Sequence, residues 1–303
     1  MDLDHTLLSI VAIHSMIPED GFTADILGTE RAGSGVVIRE SGLVLTIGYL
    51  ITEAENVWLT AADGRVVPAH ALAYDQETGF GLVQALGRLE LPALAFGKSG
   101  EARLGDPVIL ASWGRDRFVR SNIVGKQEFA GHWEYLLDEA IFTAPAHPLW
   151  GGAGLIDSDG KLLGVGSLLV QQTTESAAPQ DLNMVVPIDL LPPILNDLLT
   201  YGQVNKPPRP WLGVYSTEIQ GRIVIANVAE RGPAAAAGLH RGDIVSGVRD
   251  LNVEGLADFY RKVWSCGPAG TEIPIEVVRE AGNIWIRVKS ADRGSYLKKP
   301  RVH

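Results

Sequence analysis

From Ser9 to Val186 the chain is a succession of short β-rich runs broken by glycine, aspartate and serine, and this rhythm limits the fold more than anything else in it. Runs such as VVIRE-SG-LVLTIGYLI, VWLTAADGRVVPAHAL, DPVILAS and GLIDSDGKLLGVGSLLV are rich in Val, Ile, Leu and Thr, which suit a pleated, half-buried surface. Asp63-Gly64 and Asp159-Gly160 predict hairpin turns, because glycine accepts the positive φ such turns need. The DSDG at 157–160 begins like a calcium loop but lacks the third acidic position and the distal glutamate, so it reads as a hairpin. Strands at this spacing predict a sandwich or a barrel, and composition does not choose between them.

At 303 residues the chain has room for one large domain and a smaller one. Its one cysteine, Cys266, excludes an internal disulfide and reads as a buried structural thiol rather than a nucleophile. The opening, MDLDHTLLSIVAIHSMIPEDGF, starts with acids, and its apolar run Leu7–Ile13 is short. That run predicts the first strand rather than a signal peptide or a membrane span. A cytoplasmic location is therefore expected, or a periplasmic one if the N-terminus is truncated. Residues 206–303 hold 15 Lys/Arg against 10 Asp/Glu, whereas residues 1–205 hold 11 against 26. A net charge of −10 argues against nucleic acid, whose phosphates demand positive surface. No sequence pattern calls for a metal or a cofactor.

Beyond the strands, PIDLLPPILNDLLTYGQ at 187–203 carries leucine and isoleucine at helical spacing. Pro192 and Pro193 fit the first turn of that helix, where a missing N–H costs little, and Gly202 fits its end. VNKPPRP at 204–210 reads as a stiff linker. After it, GPAAAAGLHRGDIV places a Pro-Ala helix start, a stop at Gly238 and a Gly242-Asp243 turn into a strand.

Together these segments resemble a known family. AGSGVVIRESGLVLTIGYLI (32–51), YDQETGFGLVQA (74–85) and HPLWGGAGLIDSDGKLLGV (147–165) resemble the three catalytic stretches of HtrA/Deg-type trypsin-like serine proteases. WLGV at 211–214 and GPAAAAGLHRGDIV resemble the family's PDZ domain. The resemblance implies a mainly β chain: a chymotrypsin-like double Greek-key barrel over 1–203, a linker at 204–210, a PDZ domain at 211–292 and a basic tail at 293–303. It places Tyr49, Gly79 and Gly151 at the triad positions, with Leu149 and Trp150 altering the oxyanion loop.

Glycine offers neither a nucleophile nor a group that orients a base, and an ordinary tyrosine, with a pKa near ~10, is a poor base at neutral pH. The expectation is an inactive homologue, not an enzyme, which binds peptide or protein C-termini as a scaffold or regulator in protein quality control. An active relative is a further expected partner. Trp211, Leu212, Gly213 and Val214 are the expected carboxylate loop, with Phe259 and Val263 lining a side-chain pocket; plain core packing of those two stays open. Trp113 joins Tyr49, Leu149 and Trp150 in a cleft that either holds a peptide or is simply filled, and His147 reads as a loop residue at its mouth. Two alternatives remain: an active serine-type peptidase with another nucleophile, for which Ser158 and Ser167 were weighed, and a purely structural subunit. The family resemblance also implies a homotrimer through the N-terminal segment, with Phe22 as a contact.

Overall fold

The computed structural model describes residues 2–114, 118–174, 177–280 and 282–299. Six strands close a first barrel: β1 Ile10–Met16, β2 Glu30–Arg39, β3 Leu43–Ile47, β4 Asn56–Thr60, β5 Val66–Tyr74 and β6 Phe80–Ala85, in the order β1-β2-β3-β6-β5-β4. Ile13 stands opposite Leu59, and Val44 opposite both Val37 and Val83, each almost fully buried. The predicted first strand starts later than expected. Asp2 accepts the His5 N–H and caps a short helix over Leu3–Leu7, and β1 begins only at Ile10.

A second closed barrel follows: β7 Pro107–Ala111, β8 Phe118–Gly131, β9 Tyr135–Ala144, β10 Gly154–Ile156, β11 Leu162–Thr174 and β12 Ala177–Pro187, in the order β10-β11-β12-β9-β8-β7. Val108, Leu110, Ile141, Leu155 and Val185 share its core. The mainly β expectation of two barrels holds. Both predicted turns form, with Gly64 at φ 88° and Gly160 at φ 83°. In the DSDG turn Asp157 Oδ1 accepts the N–H groups of Asp159 and Lys161, and the flanking strands pair as a hairpin. The predicted helix runs Pro192–Tyr201, with proline at its start and Gly202 closing it at φ 71°.

The third sheet takes the order β13 Val214–Ile219, β14 Arg222–Val228, β15 Ile244–Val248, β17 Glu272–Arg279 and β18 Gly282–Lys289, with β16 Leu251–Asn252 beside β15. A helix over Leu256–Ser265 packs its Phe259, Tyr260 and Val263 into the core of this sheet. Cys266, just after it, is buried and donates its Sγ–H to the Lys262 carbonyl. The segment read as a basic tail begins with a helical turn at Arg293–Ser295, capped by Asp292; its residues 300–303 lie outside the described residues.

The chain divides into two compact units. One contains Met1–Gln127 and Glu139–Asn205, the other Lys206–Leu297 together with Glu128–Asp138. That last segment is the tip of the β8–β9 hairpin, which leaves its own barrel's unit and joins the PDZ-like one. Among the described residues no helix is long and apolar enough to cross a membrane.

Candidate functional site

Tyr49, Gly79 and Gly151, expected at the triad positions, come together within the first unit: Tyr49 stands beside Gly151, and Gly79 bonds to Gly48. Tyr49 lies in a helical turn over Gly48–Leu50. Its hydroxyl donates to the Ser167 carbonyl at 2.8 Å and shares a side-chain hydrogen bond with Trp150. Burial pushes the phenol above its ordinary pKa, and the Trp150 bond offsets part of that. A β-carbon built on Gly151 would stand 3.0 Å from the same hydroxyl oxygen, so the phenol fills the space that a side chain at 151 would need. The Gly151 carbonyl accepts the Ser34 N–H at 2.8 Å, and Ser34 Oγ accepts the Trp113 N–H at 3.0 Å.

Gly79 sits at φ 83°. Its N–H donates to Asp75, and its carbonyl accepts the N–H of Gly48 at 2.7 Å. His147 is buried, not at the mouth of a cleft: its N–H donates to Asn183 Oδ1, and its Nδ1 accepts the Leu149 N–H at 2.9 Å. That contact engages the Leu149 N–H, while the Leu149 side chain itself is exposed. Tyr49 therefore fills this region and Leu149 does not. Tyr49, Gly79 and Gly151 supply no activated hydroxyl and no imidazole, so a Ser-His-Asp relay cannot run through them. A peptidase step in this chain has to draw its nucleophile and base from other side chains.

The second unit holds a different constellation. The N–H groups of Leu212, Gly213 and Val214 converge on the carboxylate of Glu134, at 3.0, 2.7 and 3.0 Å. Gly213 permits this with φ 79°, a backbone region that side chains disfavour. The loop is held from behind, where the carbonyls of Leu212 and Gly213 accept the N–H groups of Ala234 and Ala229. Trp211 is buried, pairs with Ala291 through two backbone hydrogen bonds and meets the Tyr296 ring edge-on. Its backbone N–H is thus given to Ala291, and its ring packs in the interior.

Phe259 and Val263 lie in one buried cluster with Leu212, Val214 and Leu136. Burial pushes the Glu134 pKa up to about 7, although the three N–H groups and the charge of Arg293 pull it down. Desolvation thus outweighs the hydrogen bonds and the Arg293 charge together.

Residues 33–165 match the family of trypsin-like peptidase domains, and residues 210–289 match the PDZ domain. A probable periplasmic serine endoprotease DegP-like from Pseudomonas fluorescens is 27% identical over 265 residues, which cover 83% of this chain and 54% of that protein. The chain belongs to the HtrA/Deg family of trypsin-like serine proteases with a PDZ domain.

It spans about half the length of the first curated relatives it matches, 54% in the Pseudomonas fluorescens case. Serine endoprotease DegS from Salmonella typhimurium is 25% identical over 285 residues, covering 84% of this chain and 75% of the relative. Among solved structures, the HtrA-type protease AlgW with decapeptide has the same fold at a TM-score of 0.55 and 21% identity, covering 99% of this chain and 100% of that one.

Two expectations are corrected by these relatives. They are named serine endoproteases, which overturns the expectation that the chain is not an enzyme. Several are named periplasmic, which overturns the cytoplasmic expectation drawn from the acidic opening of the sequence. The physical reason is shared. Side chains at three positions and the charge of a few leading residues are local facts, whereas family membership rests on the whole pattern of strands and loops.

Glu134 was missed by the reading of the sequence. Its signal was faint: one acid in the aromatic turn HWEY at 132–135 of an unusually long hairpin, whose first strand runs 14 residues.

Proposed function

We propose that this HtrA/Deg-family protein captures the carboxylate ends of peptides or proteins through Leu212, Gly213 and Val214. The observation that carries the reading is the convergence of three backbone N–H groups on one carboxylate. Such a nest recognises a terminal carboxylate, while the adjacent sheet edge takes the ligand as an added strand. An apolar last side chain has its place beside Phe259 and Val263, which line a buried apolar cluster. A role in protein quality control is part of this reading, and a periplasmic setting for it is supported by the names of several relatives.

The test is fluorescence anisotropy with a labelled decapeptide ending in leucine, made with a free carboxylate and as its C-terminal amide. Saturable binding of the acid and loss of it in the amide are expected. Equal binding of the two forms would overturn the reading, because a nest of N–H donors discriminates by charge.

A further inference from the structure

The carboxylate in this nest belongs to the protein itself, and the rest of the hairpin tip follows it into the groove. Strand β13 is the edge of its sheet, and the His132 carbonyl accepts the N–H of Ser216 on that edge at 2.8 Å. Two residues on, Glu134 occupies the N–H groups of Leu212, Gly213 and Val214. Two residues further, Leu136 is buried in the apolar cluster with Phe259 and Val263. Residues 132, 134 and 136 thus engage the sheet edge, the anion nest and the apolar cluster in turn. These are the three features that an arriving chain end would use.

The tip is also fastened independently of the nest. The Tyr260 hydroxyl donates to the Gly131 carbonyl at 2.8 Å and accepts the Glu134 N–H at 3.3 Å. Arg261 pairs with both Glu128 and Asp138 at the two ends of the tip. Glu134 itself takes φ 57°, a conformation costly to a non-glycine residue and kept only where surrounding contacts impose it.

We propose that the hairpin tip Glu128–Asp138 is an internal ligand of the PDZ domain, and that an external chain end binds only by displacing Glu134 from Leu212, Gly213 and Val214. The proposal rests on the reading of this loop as a carboxylate site and adds its regulation. A tethered competitor acts at an effective concentration on the order of millimolar. An external ligand of micromolar intrinsic affinity is then weakened by the fraction of time the groove stands open, roughly tenfold or more.

The experiment uses the full chain as wild type, Glu134→Ala and Glu134→Gln, with the leucine-ended decapeptide as acid and amide. Amide hydrogen exchange of 128–138 and 211–216 is followed by mass spectrometry. The expected result is a gain of about tenfold or more in acid affinity for Glu134→Ala. In the wild type, saturating acid peptide is expected to speed exchange in 128–138 while 211–216 stays protected.

Acid-selective binding of equal strength in wild type and Glu134→Ala, with 128–138 protected throughout, would overturn the internal ligand and leave the carboxylate site standing. Acid binding no better than amide in every variant would overturn the site itself, and the proposal with it. Should Glu134→Ala fail to fold, the wild-type exchange experiment decides the matter in the same terms.

Discussion

The Tyr260 hydroxyl donates to the carbonyl of Gly131 at 2.8 Å, across 129 residues of sequence. It joins the helix over Leu256–Ser265 to the β8–β9 hairpin tip, and both groups are buried. In Tyr260→Phe the ring still fills the core, but the Gly131 carbonyl and the Glu134 N–H lose their partner. Leaving such groups unsatisfied costs ~1–3 kcal/mol. Faster amide exchange in 128–138 and an acid-peptide affinity raised about fivefold are expected; unchanged exchange would show that Tyr260 does not hold the tip.

Gly213 is the position at which the nest is most easily broken. Its φ of 79° is unfavourable for a β-branched residue, and an added β-carbon would press on the Trp211 ring at 3.1 Å and on Gly232. Gly213→Val in the Glu134→Ala background should lower acid-peptide affinity by about tenfold or more, through backbone strain of ~1–3 kcal/mol at the donors. Isothermal titration of the two variants side by side checks this, and equal affinities would remove Gly213 from the site.

Acidity should tighten the tip. The Glu134 carboxyl has its pKa raised from 4.5 to about 7 when seated, so the seated state binds more protons than the released one. Its stabilisation is full below about pH 4.5 and is lost as pH rises through about 7. The other groups facing it are Arg293, Tyr260 and Tyr215. Tyr260 and Tyr215 are pushed to higher pKa by burial and stay neutral in this window. Burial moves His132 below its ordinary value, so it titrates on the acid side. Acid-peptide affinity measured between about pH 6 and pH 8 should therefore rise with pH in the wild type and stay flat in Glu134→Gln. A flat wild-type profile would contradict this.

Tyr49 and Gly151 form a testable pair in the first unit. Tyr49→Phe removes the donor to the Ser167 carbonyl and should cost ~1–3 kcal/mol in urea denaturation. Gly151→Ala places a β-carbon 3.0 Å from the phenol oxygen and should cost a similar ~1–3 kcal/mol by overpacking. Since the phenol oxygen is the atom in the way, the double variant should be less destabilised than the two costs combined, by at least ~0.5 kcal/mol. Strict additivity would mean that the two residues do not compete for the space.

Much of the fold was legible because it follows local rules. The turns at Gly64 and Gly160, the proline start at Pro192 and the stop at Gly202 are set by backbone preferences of single residues. The loop Leu212–Val214 was legible from four letters, as its donors are backbone groups. The expected first strand Leu7–Ile13 began too early, since the opening helix over Leu3–Leu7 has too few apolar residues to show a period. Trp211 was expected in the binding loop, yet its ring is committed to Tyr296, a pairing that nothing near it in the chain announces.

The amino-acid sequence by itself determined the strand rhythm, the chemistry absent at Tyr49, Gly79 and Gly151, and the three N–H donors at Leu212, Gly213 and Val214. Only the tertiary structure decided what fills the spaces those residues create: the Tyr49 phenol beside Gly151, and the Glu134 carboxylate in the nest. Side-chain identity and backbone preference act within a few residues. Which acid reaches a given set of donors depends on the path of the whole chain, and here that path makes residues 128–138 part of the same compact unit as Leu212, Gly213 and Val214.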